Sequence, residues 1–185
     1  MQSEKEKMIA GLPYDPYDEE LKAGRKNARR LLRELASIAD EDEPARKKIF
    51  RELFGQTEGD FFIENPFICD YGYNIFWGEN AYANFNCIFL DAAPIHIGKN
   101  VMLAPAVKIF TATHPIDHKL RNTGIEYAKS ITIKDNVWIG GGAIINPGVT
   151  IGENTVIGSG SVVTKDIPAN VVAVGNPCTV IREIE

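Results

Sequence analysis

Very little in this sequence suits metal or disulfide chemistry. Its three cysteines, Cys69, Cys87 and Cys178, are odd in number and too far apart to form a chelating pair. A disulfide framework is therefore excluded, and reduced thiols in a cytoplasmic setting are expected. No apolar run reaches the roughly 18 residues that span a bilayer, and the opening Met1-Gln-Ser-Glu-Lys-Glu-Lys leads into no signal-peptide core. Excess positive charge is missing too. Against 25 Asp and Glu stand 20 Lys and Arg, a net charge of −5, which provides no field for nucleic acid or an anionic membrane. Basic residues do gather over Lys22 to Arg33 and Arg46 to Arg51, but the acids interleaved with them read as solvated helix faces. The 44% of hydrophobic and 24% of charged residues in 185 positions describe a soluble domain able to bury a core.

Two regions follow different rules. Residues 1–58 read as helical. From Glu20 to Ile38, the residues Leu21, Ala28, Leu31, Leu32, Leu35 and Ile38 recur at three- and four-residue spacings, an amphipathic stripe that Asp15 or Asp18 can cap. A second helix is expected over about Asp42 to Phe54, with Pro44 in its first turn and Gly55 as its stop. Two helices of this size need a partner surface.

From about residue 59 a period of six takes over, so residues 59–185 form the second region. Written in sixes from Ile131 the chain reads ITIKDN, VWIGGG, AIINPG, VTIGEN, TVIGSG, SVVTKD. Ile133, Ile139, Ile145, Ile151, Ile157 and Val163 hold the third place of successive units, and turn-forming Gly, Asn, Asp, Pro and Ser fill the last three. Two inward residues and then a corner describe one side of a triangular coil, and stacked coils make a parallel β-helix. Upstream, Ile97, Leu103 and Ile109 keep the phase. Tyr71, Trp77, Ala83 and Phe89 extend it, with an eight-residue step from Phe89 to Ile97 that implies a bulge at a corner. This counts about four coils, a prism on the order of 20 Å tall at ~4.8 Å per strand. Between His114 and Ile133 the register would drive Lys119 and Arg121 into the core, at great cost. Residues of about 115–132 are thus expected as an extruded loop rooted at His114, and such loops carry function.

Together, the helical start, the repeats, Asp70-Tyr-Gly-Tyr-Asn-Ile, Ala83-Asn-Phe-Asn, and Thr113-His-Pro with its loop resemble the maltose/galactoside O-acetyltransferases of the hexapeptide-repeat superfamily. The resemblance covers essentially the whole chain. It implies a mainly β fold, a left-handed parallel β-helix with a short N-terminal helical segment and one extruded loop. It also implies a homotrimer with active sites in the clefts between prisms, acetyl-coenzyme A along a prism edge, and a small sugar accepting acetyl, on its 6-hydroxyl, near the helical segment.

Acetyl transfer from a thioester to an alcohol needs a base, and neutral imidazole titrates in the right range. His114, at the loop root and in the matching motif, is the expected general base, with Glu126 of the same loop as its orienter. By resemblance, Asp70 and Asn84 lie at sugar positions, Asp91 lies beside one, Asp15 reaches the sugar from the N-terminal segment, and Trp138 flanks the site. The Asn84 amide is also suited to donating to the developing oxyanion. Small residues at Gly141 and Ser159 let a pantetheine arm approach the backbone. Thr164, Lys165 and Arg182 suit the nucleotide phosphates, while Thr179 stands where some relatives carry a basic residue. Three competing readings stand beside this one: a zinc hydratase of the γ-carbonic anhydrase type using His96, His114 and His118, a non-catalytic scaffold, and an acetyltransferase for another small acceptor. A nucleotidyltransferase is disfavoured because no Gly-rich nucleotide-binding unit precedes the repeats.

Overall fold

Alternation of one inward and one outward residue, broken every six positions by a turn, folds the repeat region into a parallel β-helix with three flat faces. The structure, a computed structural model, describes residues 2–185. Face 1 aligns Thr57, Trp77, Ile97, Ile133, Ile151 and Ile167. Face 2 aligns Ile63, Ala83, Leu103, Ile139, Ile157 and Ala173, and face 3 aligns Cys69, Phe89, Ile109, Ile145 and Val163. Apart from Thr57, all of these are buried. They make six coils, about 24 Å of stacking, where the sequence count gave about four. The first coil escaped that count because Tyr71 is not in phase. Cys69, not Tyr71, precedes Trp77 on the inward path, so the step from Cys69 to Trp77 repeats the eight-residue bulge between Phe89 and Ile97. Tyr71 lies in that bulge.

The three corners differ. The first, between faces 1 and 2, is turned by Asn80, Asn100, Asn136, Asn154 and Asn170, all at φ of 56 to 59°. Their side-chain amides bond from coil to coil at 2.8 to 3.0 Å. Asparagine tolerates this left-handed backbone better than other side chains do, so each residue serves the turn and the ladder together. Asn136→Ala, which strains the turn and cuts two rungs, is expected to cost roughly 2 kcal/mol. Asn136→Gly, which cuts the rungs only, should cost less, both read from guanidinium unfolding midpoints. The second corner, between faces 2 and 3, is equally tight. The third corner, between faces 3 and 1, varies in length and is where the chain leaves the prism.

The helical segment closes one end. Helix α1 (Glu4–Ile9) starts at a Ser3–Glu6 capping box. Helix α2 (Glu19–Leu35) is capped by Asp18 and buries Leu21, Ala28, Leu31 and Leu35. Helix α3 (Glu43–Leu53) is capped by Asp42 and has Pro44 in its first turn. Phe50 and Phe54 bring aromatic packing from the end of α3 onto Phe61, Phe67 and Trp77 of the first coils. They cover an end that would otherwise expose core and strand edges. Arg46 departs from the solvated face expected of it: it is 3% exposed and donates to the Ile63 carbonyl at 2.8 Å and to Asp40 at 2.9 Å. At the other end Thr179–Glu183 adds an antiparallel strand to Val171–Val174 on face 2. Among the described residues no helix is long and apolar enough to cross a membrane.

Candidate active site

The third corner gathers the polar residues. The chain departs after Ile109 and returns in phase at Ile131, since Lys108 pairs with Ile144 and Ile95 with Ile131, each thirty-six positions on. Ile131 already belongs to strand, so the excursion ends at Ser130, just short of the expected 132. At its root, Ala112–Thr113 and Tyr127–Ala128 form an antiparallel ribbon, and its tip carries helix α4 (His118–Arg121). Ala112 faces Ala128 and Thr113 faces Tyr127, so the next opposed pair in this register is His114 and Glu126. The imidazole of His114 is exposed there and does not sit inside the prism.

Beside the ribbon the N-terminal segment leans on the loop. Tyr14 and Glu126 exchange both backbone hydrogen bonds, each 3.2 Å. The Tyr14 hydroxyl also donates to Glu126 Oε2 at 2.8 Å. Glu126 is therefore held by Tyr14, and the structure does not pair it with His114 as the sequence reading expected. Burial and this adjacent carboxylate push the Tyr14 phenol well above its ordinary range.

These contacts frame a cavity of about 240 Å³. The prism contributes Asp70, Tyr71 and Ala92, the loop contributes Ala112 and Glu126, and the helical segment contributes Tyr14, Pro16, Tyr17 and Arg25. Arg25 donates to the Tyr71 hydroxyl and to the Pro16 carbonyl, pinning the helical segment to the corner. Burial raises the Asp70 carboxyl above its usual range, and the cations Arg25 and Arg29 pull the other way. Desolvation lifts Tyr71 to about 12, opposed by Arg25. Sequence reasoning missed Tyr14, Tyr17 and Arg25. The signal available was the Tyr-Asp-Pro-Tyr run at 14–17 followed by Arg25 in the first turns of a basic helix, which reads equally well as a turn and a solvated helix.

The other expected site residues fall into place unevenly. Asp15 is exposed between two cavity-lining residues, its Oδ1 accepting from the Tyr17 amide at 2.8 Å. Asp91 corrects the sequence reading. It is 0% exposed and Oδ1 accepts from the backbone amides of Asp70 and Tyr71 at 3.0 and 2.9 Å, so it faces the corner's interior and not a bound sugar. Thr164 and Lys165 are exposed on the third corner, in the fifth coil. Asn84, Gly141 and Ser159 lie on the second corner instead, in the second, fourth and fifth coils. The Asn84 Oδ1 accepts from the Phe85 amide at 2.8 Å. There a Cβ added to Gly141 would meet the Pro105 carbonyl at 3.3 Å, while beside it Gly142 faces open space. Trp138, 51% exposed, stands on the outer side of face 2 between Met102 and Val156. Arg182 pairs with Val172 on the added strand of the same face. One chain thus divides the expected site between two corners, with face 3 between them.

The histidines do not converge. His96 stacks on Phe76 with ring centroids 4.8 Å apart on the outside of face 1, where burial and then Lys134 lower its pKa. His118 lies in α4. Among the described residues no group of three His, Cys, Asp or Glu is arranged to hold a metal ion.

Comparison with known proteins agrees with this division of the chain. The maltose acetyltransferase hexapeptide capping motif matches residues 7–59, the helical segment, and six repeats of the bacterial transferase hexapeptide match residues 130–165. A putative acetyltransferase of Dictyostelium discoideum is 59% identical over 98% of this chain and 95% of its own length. The chain belongs to the maltose acetyltransferase type of hexapeptide-repeat acetyltransferases. Solved members of this family superpose over its whole length. A maltose O-acetyltransferase from Clostridium difficile 630 is 55% identical with a TM-score of 0.98, over 100% of this chain and 98% of that one. A galactoside acetyltransferase in complex with coenzyme A is 43% identical with a TM-score of 0.95, over 100% of this chain and 92% of that one.

Proposed function

We propose that this protein is a cytoplasmic O-acetyltransferase that moves acetyl from acetyl-coenzyme A to a small sugar such as maltose, glucose or a galactoside, at the primary 6-hydroxyl. The observation that carries the reading is the third-corner cavity, where two carboxylates, Asp70 and Glu126, and a guanidinium, Arg25, line a space of about 240 Å³ beside His114. Carboxylates and a fixed cation suit a neutral, hydroxyl-rich ligand, which offers many donors and acceptors and no charge. The Tyr17 ring, 67% exposed, gives the apolar face of a pyranose a surface to lie on.

In this reading His114 takes the proton of the acceptor hydroxyl as that oxygen attacks the thioester carbonyl. The C–S bond then breaks, and the imidazolium returns the proton to the departing thiolate. Acetyl passes directly, with no acyl-enzyme. Glu126, held by Tyr14, contributes negative charge beside the imidazolium rather than a direct hydrogen bond to it.

The second half of the site comes from another copy of the chain, in a homotrimer. Faces 2 and 3 expose Ile68, Phe85, Met102 and Trp138, each at least 46%, an apolar outer surface of the kind that partners cover. Turning face 3 toward a three-fold axis sets the third corner of one prism against the second corner of the next. His114, Glu126, Asp70, Thr164 and Lys165 then face Asn84, Gly141, Ser159, Trp138 and Arg182 across one cleft. Asn84 donates to the developing oxyanion, the glycine-lined corner accommodates pantetheine, and the cations hold phosphate. The galactoside acetyltransferase solved with coenzyme A supports this donor.

An acetyl-coenzyme A thiol-release assay over a panel of mono- and disaccharides tests the proposal. Sugar-dependent release, with acetylation at the 6-position of the product by NMR, is expected. Release that no sugar stimulates would assign the chain to a different acceptor.

A further inference from the structure

Asp91 is a fully buried carboxyl beside the cavity that the chemistry above leaves unused. Its side chain is 0% exposed at the third corner, and Oδ1 accepts from the amides of both Asp70 and Tyr71 at 3.0 and 2.9 Å. Oδ2, equally buried, has no partner, a condition shared among the described residues only with the hydroxyl of Tyr73. Its own backbone is also tied: the Asp91 and Ala92 carbonyls accept from the Asn74 amide at 2.7 and 3.3 Å. Buried polar atoms are nearly always satisfied, so a carboxylate kept here with one oxygen idle needs a reason. An asparagine or a threonine would have made the same turn without burying an acid.

We infer that Asp91 is a positioning residue of the acceptor pocket, its Oδ1 fixing the backbone of Asp70 and Tyr71 and so aiming Asp70 and, through Tyr71, Arg25 at the acceptor. This rests on the third-corner cavity being the acceptor site. Both amides that Asp91 holds belong to residues lining that cavity, and Arg25 is bonded to the hydroxyl of one of them. The anchor sits behind the pocket wall and reaches the acceptor only through the residues it holds.

The anchor is also sensitive to protonation. Cys69, Asp70, Tyr71 and Tyr73 face it from the adjacent corner, and behind them Glu20, Arg25 and Arg29 from α2 and Glu126 from the loop act on Asp70 and Tyr73. Burial first, and then the charge of Asp70, push the Asp91 carboxyl up to about 7, against the pull of the amides it accepts from. Hydrogen bonds to an ionised acceptor are roughly twice as strong as those to a neutral one. The wall should therefore be held more firmly above neutrality than below it.

Steady-state kinetics of wild type and Asp91→Asn at pH 6 and pH 8 test this. The amide keeps an acceptor oxygen but cannot ionise. The wild-type acceptor KM is expected to fall about three- to fivefold from pH 6 to pH 8. That of Asp91→Asn should stay near the wild-type pH 6 value at both, with the acetyl-coenzyme A KM within twofold. A variant whose acceptor KM tracks wild type at both pH values, or whose two KM values rise together, overturns the inference. A second measurement needs neither variant nor sugar. In the wild-type protein the amide 15N and 1H resonances of Asp70 and Tyr71 should titrate together between pH 6 and 8, and flat resonances overturn the inference equally. If no sugar is turned over while those amides do titrate, the acceptor assignment fails and the anchoring stands.

Discussion

His114→Ala is expected to lower turnover by about two to four orders of magnitude, the usual worth of a positioned general base. The loss should be confined to chemistry. The imidazole is exposed at the loop root, so its removal opens no cavity in the prism, and the fold around it is fixed by the ribbon, the Tyr14–Glu126 pairing and the in-phase return at Ile131. Circular dichroism, sedimentation and the Kd for coenzyme A should match wild type while kcat collapses. Activity within a few-fold of wild type would remove His114 from the reaction. A shift of the thermal midpoint with a proportionate loss of rate would make it a structural residue instead.

Mixing two inactive variants should restore activity if the site is shared between copies. His114→Ala disables the third corner of its own chain, and Asn84→Ala disables the second. In a trimer reassembled at random from equal amounts, about a quarter of clefts join an intact third corner from one chain to an intact second corner from the other. Recovery toward a quarter of wild-type turnover is expected after the two homotrimers are dissociated and reassembled together, with none when each is treated alone. Without recovery, the two corners would not meet across chains, and the division of the site described above would have another meaning. This experiment is decisive because Asn84 and His114 lie on opposite edges of face 3 within one chain.

What the sequence made legible was what repeats. Six units in register from Ile131 announce the scaffold, because an inward Ile or Val every sixth position has few other uses, and the charges of Lys119 and Arg121 announce the loop because a dry core excludes them. The first coil was illegible for the opposite reason. Thr57, Ile63 and Cys69 do its inward work, but Thr57 and Cys69 stand where later units carry large apolar residues, and Tyr71 imitates the phase two residues late. Site residues were legible by type but not by direction. A corner aspartate can face solvent, ligand or the next coil, and Asp91 takes the last course because two amides of the coil above wait for an acceptor. Arg46 is similar: its basic neighbours suggest solvent, yet a free carbonyl at Ile63 and the ring of Phe62 draw it in. Nor can a period of six say which corners of neighbouring chains will meet. That is a property of the outer faces, and a single-chain repeat does not encode it.

The unequal corners leave this molecule one place where it can change length. From face 1 to face 2 and from face 2 to face 3 the inward path always takes six residues, whereas from face 3 back to face 1 it takes eight, eight, twenty-four, six and four. At the asparagine corner an inserted residue would break every rung beyond it. At the corner bearing His114 an insertion need only rejoin the stack in phase. New acceptor preferences, whether arising by natural drift or by grafting, should therefore come as loops of altered length there, hung on a frame that need not be redesigned to receive them.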